Sequence, residues 1–425
     1  MSNTLVLGCM WGDEAKAKIV DYLAEKADFV VRFQGGSNAG HTIVTEGKKY
    51  VFHTIPSGIM FPQTLCLIGA GVLIDPAAVL EEIKALEKQG INLKDRLLID
   101  FRAGLVLPLH KELDAEQEGR LGDARIGTTK RGIGPAYSDY TARTGLRLHD
   151  LQFEGYTAER LQALYRHHHK KITKEQLQEE VVSLSKAFRS LKKYVGDVEL
   201  SLYEAHRDGS NILFEGAQGA LLDNIYGNYP FVTSSRVMTD AVGTGTGFSA
   251  RYLDKVIGVY KAYCTRVGEG PFVTEIKDEL AETIRKTGNE YGATTGRPRR
   301  IGWFDTVAAS YSARLNKLDC LAITCLDVLS GLPELKLCVA HKQKGRRQEN
   351  YDFHSFEANE VSPVYETFSG WEEDISGCRS LAKLPLAARR YLVALEDYLE
   401  TKVEIVSVGK DRKQTFTINR KRSMK

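Results

Sequence analysis

The run Thr4-Leu5-Val6-Leu7-Gly8-Cys9-Met10-Trp11-Gly12-Asp13-Glu14-Ala15-Lys16-Ala17-Lys18 reads as a strand, a tight loop and the start of a helix. Residues 4–7 are apolar and β-favouring, and the glycines break the run. From Lys16 the apolar positions Ile19, Val20, Tyr22 and Leu23 recur at helical spacing. In open α/β sheets such an element turns backbone N–H groups and a helix N-terminus toward an anion, most often phosphate. This loop also carries an acid and two lysines. A carboxylate facing phosphates makes electrostatic sense only if a cation lies between them or a proton is being taken.

Working outward, residues 29–33 form a second strand that runs into Gln34-Gly35-Gly36-Ser37-Asn38-Ala39-Gly40-His41-Thr42, a second glycine-rich loop at a strand end. Residues 76–89 predict an amphipathic helix with Val79, Leu80, Ile83 and Leu86 on one face. From about 104 to 206 the chain turns charged and helical, which reads as an insertion between sheet strands. His167-His168-His169 lies there beside Lys170 and Lys171. Adjacent helical histidines point apart, so the triplet reads as a solvated helix end ahead of a metal site. Strands return at 211–215, 256–260, 319–324 and 403–406, with a last helix over 386–399. Strands alternating with helices predict α/β architecture: a large, mostly parallel central sheet flanked by helices, with helical insertions, of P-loop-NTPase-like nucleotide-binding type. The whole span 1–425 reads as one domain.

Composition narrows the class. The 425 residues are 43% hydrophobic, and 58 basic against 55 acidic residues leave a net charge of +3, too balanced to argue for nucleic acid. Only the tail from Lys410 to Lys425 is strongly basic, and a solvated terminus is its simplest reading. Seven scattered cysteines without a CxxC pair read as buried thiols of a reducing compartment. No stretch has membrane-spanning length and no signal-peptide layout precedes the first strand, so a cytoplasmic setting is expected. Thr294-Thr295-Gly296-Arg297-Pro298-Arg299-Arg300 reads as an anion clamp, since guanidinium alone offers a planar fork for carboxylate or phosphate. Asp327, just past a strand, has the chemistry to accept guanine N–H groups.

Together the loops resemble the adenylosuccinate synthetase family. The carriers are Trp11-Gly12-Asp13-Glu14, Gln34-Gly35-Gly36, Asn38-Ala39-Gly40-His41-Thr42, Ile126-Gly127-Thr128-Thr129 and Arg131-Gly132-Ile133-Gly134-Pro135-Ala136-Tyr137. Glu215-Gly216-Ala217-Gln218-Gly219, Arg266-Val267-Gly268-Glu269-Gly270-Pro271, Thr294 to Arg300 and Leu326-Asp327-Val328 extend the likeness along the chain. The resemblance implies GTP- and Mg²⁺-dependent joining of IMP and L-aspartate to give adenylosuccinate, GDP and phosphate through a 6-phosphoryl-IMP intermediate, by a homodimer. It implies Asp13 as the base, His41 as the general acid and Lys16 as a further catalytic group. Mg²⁺ is expected on Asp13 and the carbonyl of Gly40. Asn38, Thr129, Gln218, Thr233 and Arg297 are expected on the purine monophosphate, with Arg143 supplied by the partner subunit. Thr294, Thr295, Arg297 and Arg299 fall in the loop that receives aspartate. Gly12, Glu14, Ala15, Lys16, Ala17, Gly40, His41, Thr42 and Arg299 fall around the triphosphate, and Cys325, Asp327, Ser407 and Gly409 around its base. No membrane partner is implied, and nucleic acid is disfavoured.

The chain departs from the family pattern at the phosphate loop, where Ala15 and Ala17 replace glycines. A Cβ is harmless there if the backbone is helical and clashes if φ is positive. Met10, Lys130 and the run Arg236-Val237-Met238-Thr239-Asp240 also differ, and Cys325 replaces a lysine of the base site. Altered choice of purine, amino acid or triphosphate, as in a specialised nucleoside pathway, and a noncatalytic nucleotide-binding paralogue are the alternatives that these departures motivate.

Overall fold

The computed structural model describes residues 2–45, 47–122, 126–292, 296–351 and 361–418. In chain order its strands are β1 (Asn3–Gly8), β2 (Phe29–Arg32), β3 (His41–Thr45), β4 (Lys48–Phe52), β5 (Leu65–Ile68), β6 (Leu97–Asp100), β7 (Val195–Gly196), β8 (Ile212–Glu215) and β9 (Lys255–Lys261). They continue as β10 (Cys264–Arg266), β11 (Arg300–Gly302), β12 (Phe304–Asp305), β13 (Cys320–Thr324), β14 (Leu332–Gln343), β15 (Arg346–Gln348), β16 (Val361–Trp371), β17 (Val403–Ser407) and β18 (Thr415–Thr417). Ten build one sheet, in the order β18-β17-β13-β9-β1-β8-β2-β5-β6-β7. Its pairings are parallel except at the β17–β18 edge. Parallel strands covered on both faces must be apolar along their length. That is why residues 5–7, 30–31, 212–214 and 321–323 are all buried.

The strand order positions the site. β2, β5, β6, β7 and β8 lie on one side of β1, and β9, β13, β17 and β18 on the other. The order reverses at β1, and ligands of open parallel sheets bind outside the carboxyl ends of the strands at such a reversal. Since β8 lies between β1 and β2, the loops after these three strands are neighbours.

The helix Pro76–Lys88 forms as expected, with Asp75 as its N-cap accepting from Ala78 N at 3.2 Å. The 104–206 segment carries helices Pro108–Arg120, Ile133–Ala142, Glu154–His167, Lys174–Leu191 and Val198–Arg207, and β7 returns it to the sheet edge. One expectation there is corrected. His167 and His169 are exposed, but His168 is docked, its Nε2 2.7 Å from Asp139 Oδ2, an atom that His110 Nε2 reaches at 3.1 Å. These hydrogen bonds outweigh the burial that would raise Asp139, and its carboxyl falls to about 2. A second sheet, built by the antiparallel pair β14–β16 with β12 and β15, lies outside the alternating pattern that the sequence suggested.

Close backbone approach fixes one turn. The helix Ala241–Thr246 lies against the ends of β2 and β5, with Gly71 N donating to Gly245 O at 2.9 Å. A Cβ on Gly245 would overlap the carbonyl oxygen of Phe33. Gly245→Ala is expected to destabilise the chain by about 2 kcal/mol or more, because backbone cannot yield as a side chain can. Urea denaturation with an unchanged slope would register this as a lowered midpoint.

Candidate active site

The phosphate loop is organised from within. Glu14 is 2% exposed. Its Oε1 accepts from Met10 N at 3.1 Å and Gly12 N at 2.8 Å, and its Oε2 accepts from Lys16 Nζ at 2.7 Å. Lys16, expected at the phosphates, is thus held on this carboxylate. Gly12 and Asp13 both take positive φ, 83° and 61°.

The two alanines differ. Ala17 is buried in the first turn of the helix Lys16–Ala24, where a methyl is favoured. Ala15 precedes it at φ 60°, ψ 34°, the left-handed region that suits glycine. Ala15→Gly is expected to stabilise the chain by about 0.5–1 kcal/mol, relief of left-handed strain less the extra chain entropy of glycine. Ala17→Gly is expected to cost about 1 kcal/mol. Chemical denaturation of the two variants, which share the same change of residue, tests the opposite signs.

The neighbouring loops lock together. Leu221 N donates to Met10 O at 2.9 Å, Gln34 Nε2 to Ala217 O at 2.7 Å and Gln218 Nε2 to Asn38 Oδ1 at 3.3 Å. The structure therefore brings the predicted Asn38 and Gln218 together. Gln34 Oε1, Ser37 Oγ and Gln218 Oε1 are buried without a hydrogen-bond partner, acceptors that a polar ligand could satisfy. Thr233 is half-buried, its N–H donating to Leu222 O at 2.8 Å.

His41 opens the β3–β4 hairpin and is buried. Its Nδ1 makes a short bond to Glu215 Oε1. Glu215 Oε2 accepts from Ser57 N at 2.9 Å and Ser57 Oγ at 3.0 Å. Burial would raise the Glu215 carboxyl, but His41, Arg32 and Ser57 outweigh it, and Glu215 is held below its ordinary range. Burial lowers His41, against the pull of Glu215. The imidazole thus donates Nδ1–H to a carboxylate, which fixes its tautomer. Gly40 precedes His41 and Thr42 follows it on the same hairpin, both half-buried.

Asp13 meets Arg299, whose Nε lies 3.0 Å from Asp13 Oδ2 while its Nη1 lies 2.6 Å from Glu290 Oε2. Glu290 is 1% exposed and also receives Lys261 Nζ at 2.7 Å on each oxygen. The two other guanidiniums of the expected anion clamp also meet protein acceptors. Arg297 Nη2 donates to Gly127 O at 3.2 Å and Thr128 O at 3.3 Å, and Arg300 holds Glu275 with both branches, at 2.7 and 2.6 Å. All three guanidiniums are engaged with protein acceptors. Thr294 and Thr295 lie outside the described residues. Arg297, Thr128, Thr129, Lys130, Glu269 and Arg300 line a cavity of about 760 Å³. Arg143 is not among its lining residues. It is exposed, in the left-handed conformation that caps the helix Ile133–Ala142.

At the other end, Asp327 is half-buried with Oδ1 unpartnered, and burial raises its carboxyl. Cys325 stands before it at φ 57°. Lys18 was not among the expected contacts, yet it reaches this corner. Its Nζ lies 2.5 Å from Ser407 Oγ and bonds Gly409 O, and burial lowers the ammonium to about 8. Helical periodicity alone could not show which way Lys18 points. Glu215 was readable as a charge ending an apolar strand, but its tie to His41 was not.

Residues 5–416 match the family model for adenylosuccinate synthetase. The chain belongs to the adenylosuccinate synthetase family. Curated adenylosuccinate synthetases of Acetivibrio thermocellus and Pelotomaculum thermopropionicum are 48% and 47% identical to it, over 99% and 98% of this chain and 100% and 99% of theirs. The fully ligated adenylosuccinate synthetase of Plasmodium falciparum superposes with a TM-score of 0.93 at 38% identity, over 98% of this chain and 100% of that one. A succinoaminodeoxyadenylate synthetase of cyanophage S-2L, 21% identical with a TM-score of 0.62, shares the fold. Adenylosuccinate synthetases are GTP-dependent ligases that form a carbon–nitrogen bond between IMP and aspartate.

Through its bond to Nδ1, Glu215 fixes the orientation of the His41 imidazole. Glu215→Gln is expected to lower kcat by about 10²-fold with little change in the KM for IMP. The variant also removes the anion that holds the imidazole's charge, so any limb of the pH–rate profile due to His41 deprotonation is expected to move to lower pH. A stopped assay across pH 5–9 reads both effects.

Proposed function

We propose that this chain condenses IMP with L-aspartate, using GTP, and that residues 1–425 act as one catalytic unit. The observation that supports this reading is the contiguity of the loops after β1, β2 and β8, which carry or lead into Asp13, the Glu215-anchored His41 and the Asn38–Gln218 amide pair. Oxygen on C6 of a purine is a poor leaving group. Asp13 takes the N1 proton, O6 attacks the γ-phosphorus, and the bond to the bridging oxygen breaks with its electron pair leaving on GDP. His41 donates to the phosphoryl group as its charge develops. The amine of aspartate then attacks C6 and expels phosphate, and the deprotonated product amine is adenylosuccinate. The N-terminal turn of the helix Lys16–Ala24 supplies N–H groups for phosphate oxygens. Asp327, Ser407 and Gly409 form the base end.

Mg²⁺ fits the donors present. The Asp13 carboxylate is 31% exposed and already balanced by a cation, Arg299, through one oxygen, and Gly40 offers a carbonyl, so the set is hard oxygen. Bound there, Mg²⁺ would neutralise charge on the triphosphate. Seven unpaired thiols fit a cytoplasmic setting, and among the described residues no helix is long and apolar enough to cross a membrane. The exposure of Arg143 supports its reaching a partner subunit's crevice in a homodimer.

Phosphate release with product mass, measured with IMP, aspartate, GTP and Mg²⁺, is expected to give adenylosuccinate. Activity only with another pair, such as GMP or ATP, would reassign the substrates, and none with any pair would leave a nucleotide binder. Asp13→Asn is expected to lose about 10²–10⁴-fold in kcat. Mixing and re-equilibrating inactive Asp13→Asn with inactive Arg143→Leu is expected to restore about a quarter of wild-type activity, because half the dimers are mixed and each holds one complete site. No recovery would exclude a shared site.

A further inference from the structure

The second sheet holds a cluster that the reaction does not use. Asp305, Cys338 and His341 are all buried, and one ligand atom of each lies within 4.8 Å of the others. Asp305 ends β12, which pairs in parallel with β14 so that Asp305 stands opposite Cys338. Residues three apart on a regular strand point to opposite faces. The register of β14 against β16 shifts between Cys338 and Ala340, and this bulge turns His341 to the side that Cys338 occupies. Local hydrogen bonds hold the three side chains in place. Asp305 Oδ1 caps the helix Thr306–Asn316 through Ala308 N at 3.1 Å, and Oδ2 faces His341 Nε2 at 2.9 Å. Cys338 Sγ lies 3.3 Å from the carbonyl oxygen of Ala340 on its own strand. Cys264 on β10 is buried nearby. Burial first, and the Asp305 charge second, push both the Cys264 and Cys338 thiols up.

We propose that Asp305, Cys338 and His341 bind a zinc-class divalent ion. A thiolate, an imidazole and a carboxylate are the donor types of zinc sites, whereas Mg²⁺ takes hard oxygen donors. Thiolate and carboxylate together cancel the ion's charge, so the buried site is neutral and escapes the penalty of an unpaired buried ion. Binding releases the thiol proton and moves or releases the proton on His341 Nε2, and no redox step is involved. The fourth position goes to water, which keeps the site neutral. The site lies behind the phosphate loop: the His341 ring packs on Tyr351 with centroids 6.1 Å apart, Tyr351 OH accepts from Asn228 Nδ2 at 2.5 Å, and Asn228 Oδ1 accepts from Trp11 Nε1 at 2.7 Å. An ion there would brace the β12–β14 junction beneath Trp11.

The test uses the full chain, stripped by chelator under reducing conditions and re-equilibrated with Zn²⁺ or Co²⁺ alone. The expected result is one zinc per chain after gel filtration, and a sulfur-to-cobalt charge-transfer band with tetrahedral d–d bands in the Co²⁺ form. Cys338→Ala and His341→Phe are expected to weaken binding by more than the roughly 10–100-fold that loss of a mere supporting partner costs. His168→Gln, at the other histidine–aspartate group, is expected to leave the spectrum unchanged. Circular dichroism in chelator checks folding, and Cys338→Ser, which keeps the volume, replaces Cys338→Ala if that variant does not fold. Substoichiometric zinc with no sulfur–cobalt band in the wild type overturns the proposal, as does a band that survives loss of Cys338.

Discussion

A carboxylate shut away from water, that of Glu14, sets the shape of everything around the phosphate loop. A buried charge is tolerated only when its lone pairs are occupied. Met10 N–H, Gly12 N–H and the Lys16 ammonium occupy those of Glu14. To bring two amides onto one oxygen the chain must reverse within four residues, which puts Gly12 and Asp13 at positive φ. Space around the carboxylate is filled as well. A Cβ on Gly8 would overlap Glu14 Oε2, and one on Gly219 would come within 2.7 Å of Oε1. Thr324 Oγ1 donates to Glu14 O at 2.8 Å and ties the loop to β13. One residue thus braces the loop after β1 from within and ties it to the end of β13, far away in sequence.

A second chain of charge runs from the sheet to the reacting groups. Lys261 on β9 meets Glu290, Glu290 meets Arg299, and Arg299 meets Asp13. Glu290 also takes the Tyr263 hydroxyl. Alternating signs let each charge satisfy the next, so that a carboxylate as buried as Glu290 stays ionised. Burial would raise it, yet Lys261 and Arg299 hold it low. His41, Glu215 and Arg32 repeat the device on the other side of β8. Arg32 is fully buried with Nε and Nη2 lacking hydrogen bonds, and burial lowers it against the pull of Glu215. Two pre-set ionic strings thus reach the ends of the central strands, each ending on a group proposed to transfer a proton.

What the sequence disclosed follows the same division. The parallel strands were legible because burial on both faces forces uninterrupted apolar runs, and their terminal loops because glycines mark close approach. The β14–β16 layer was not, since a bulge breaks its alternation and all but one residue of β16 are half-buried or exposed. Asp13, His41, Asn38 and Gln218 were legible by family motif. The pairing of His41 with Glu215, and of Asp13 with Arg299 and Glu290, emerges only when segments distant in the chain are laid side by side. Ala15 was undecidable for a different reason: alanine is the best helix former, and its sequence neighbours say helix, so only the backbone reveals that its φ is positive.

The distribution of such backbone separates scaffold from site. Among the described residues twelve non-glycine residues have positive φ. Four of them, Arg143, Asn289, Lys317 and Glu400, cap helix C-termini, where hydrogen bonds to the last carbonyls offset the cost. Asp13, Ala15, Gln218 and Cys325 have no such excuse, since they follow strands β1, β8 and β13 instead of ending helices. Each costs on the order of 1–3 kcal/mol and persists only where surrounding structure over-determines it. All four fall at the carboxyl ends of parallel strands of the central sheet. A left-handed residue at such a point can turn successive N–H groups to one side, the geometry that receives an anion. The strain is concentrated where backbone dipoles must point at a ligand, and the Glu14 network is what keeps it from relaxing.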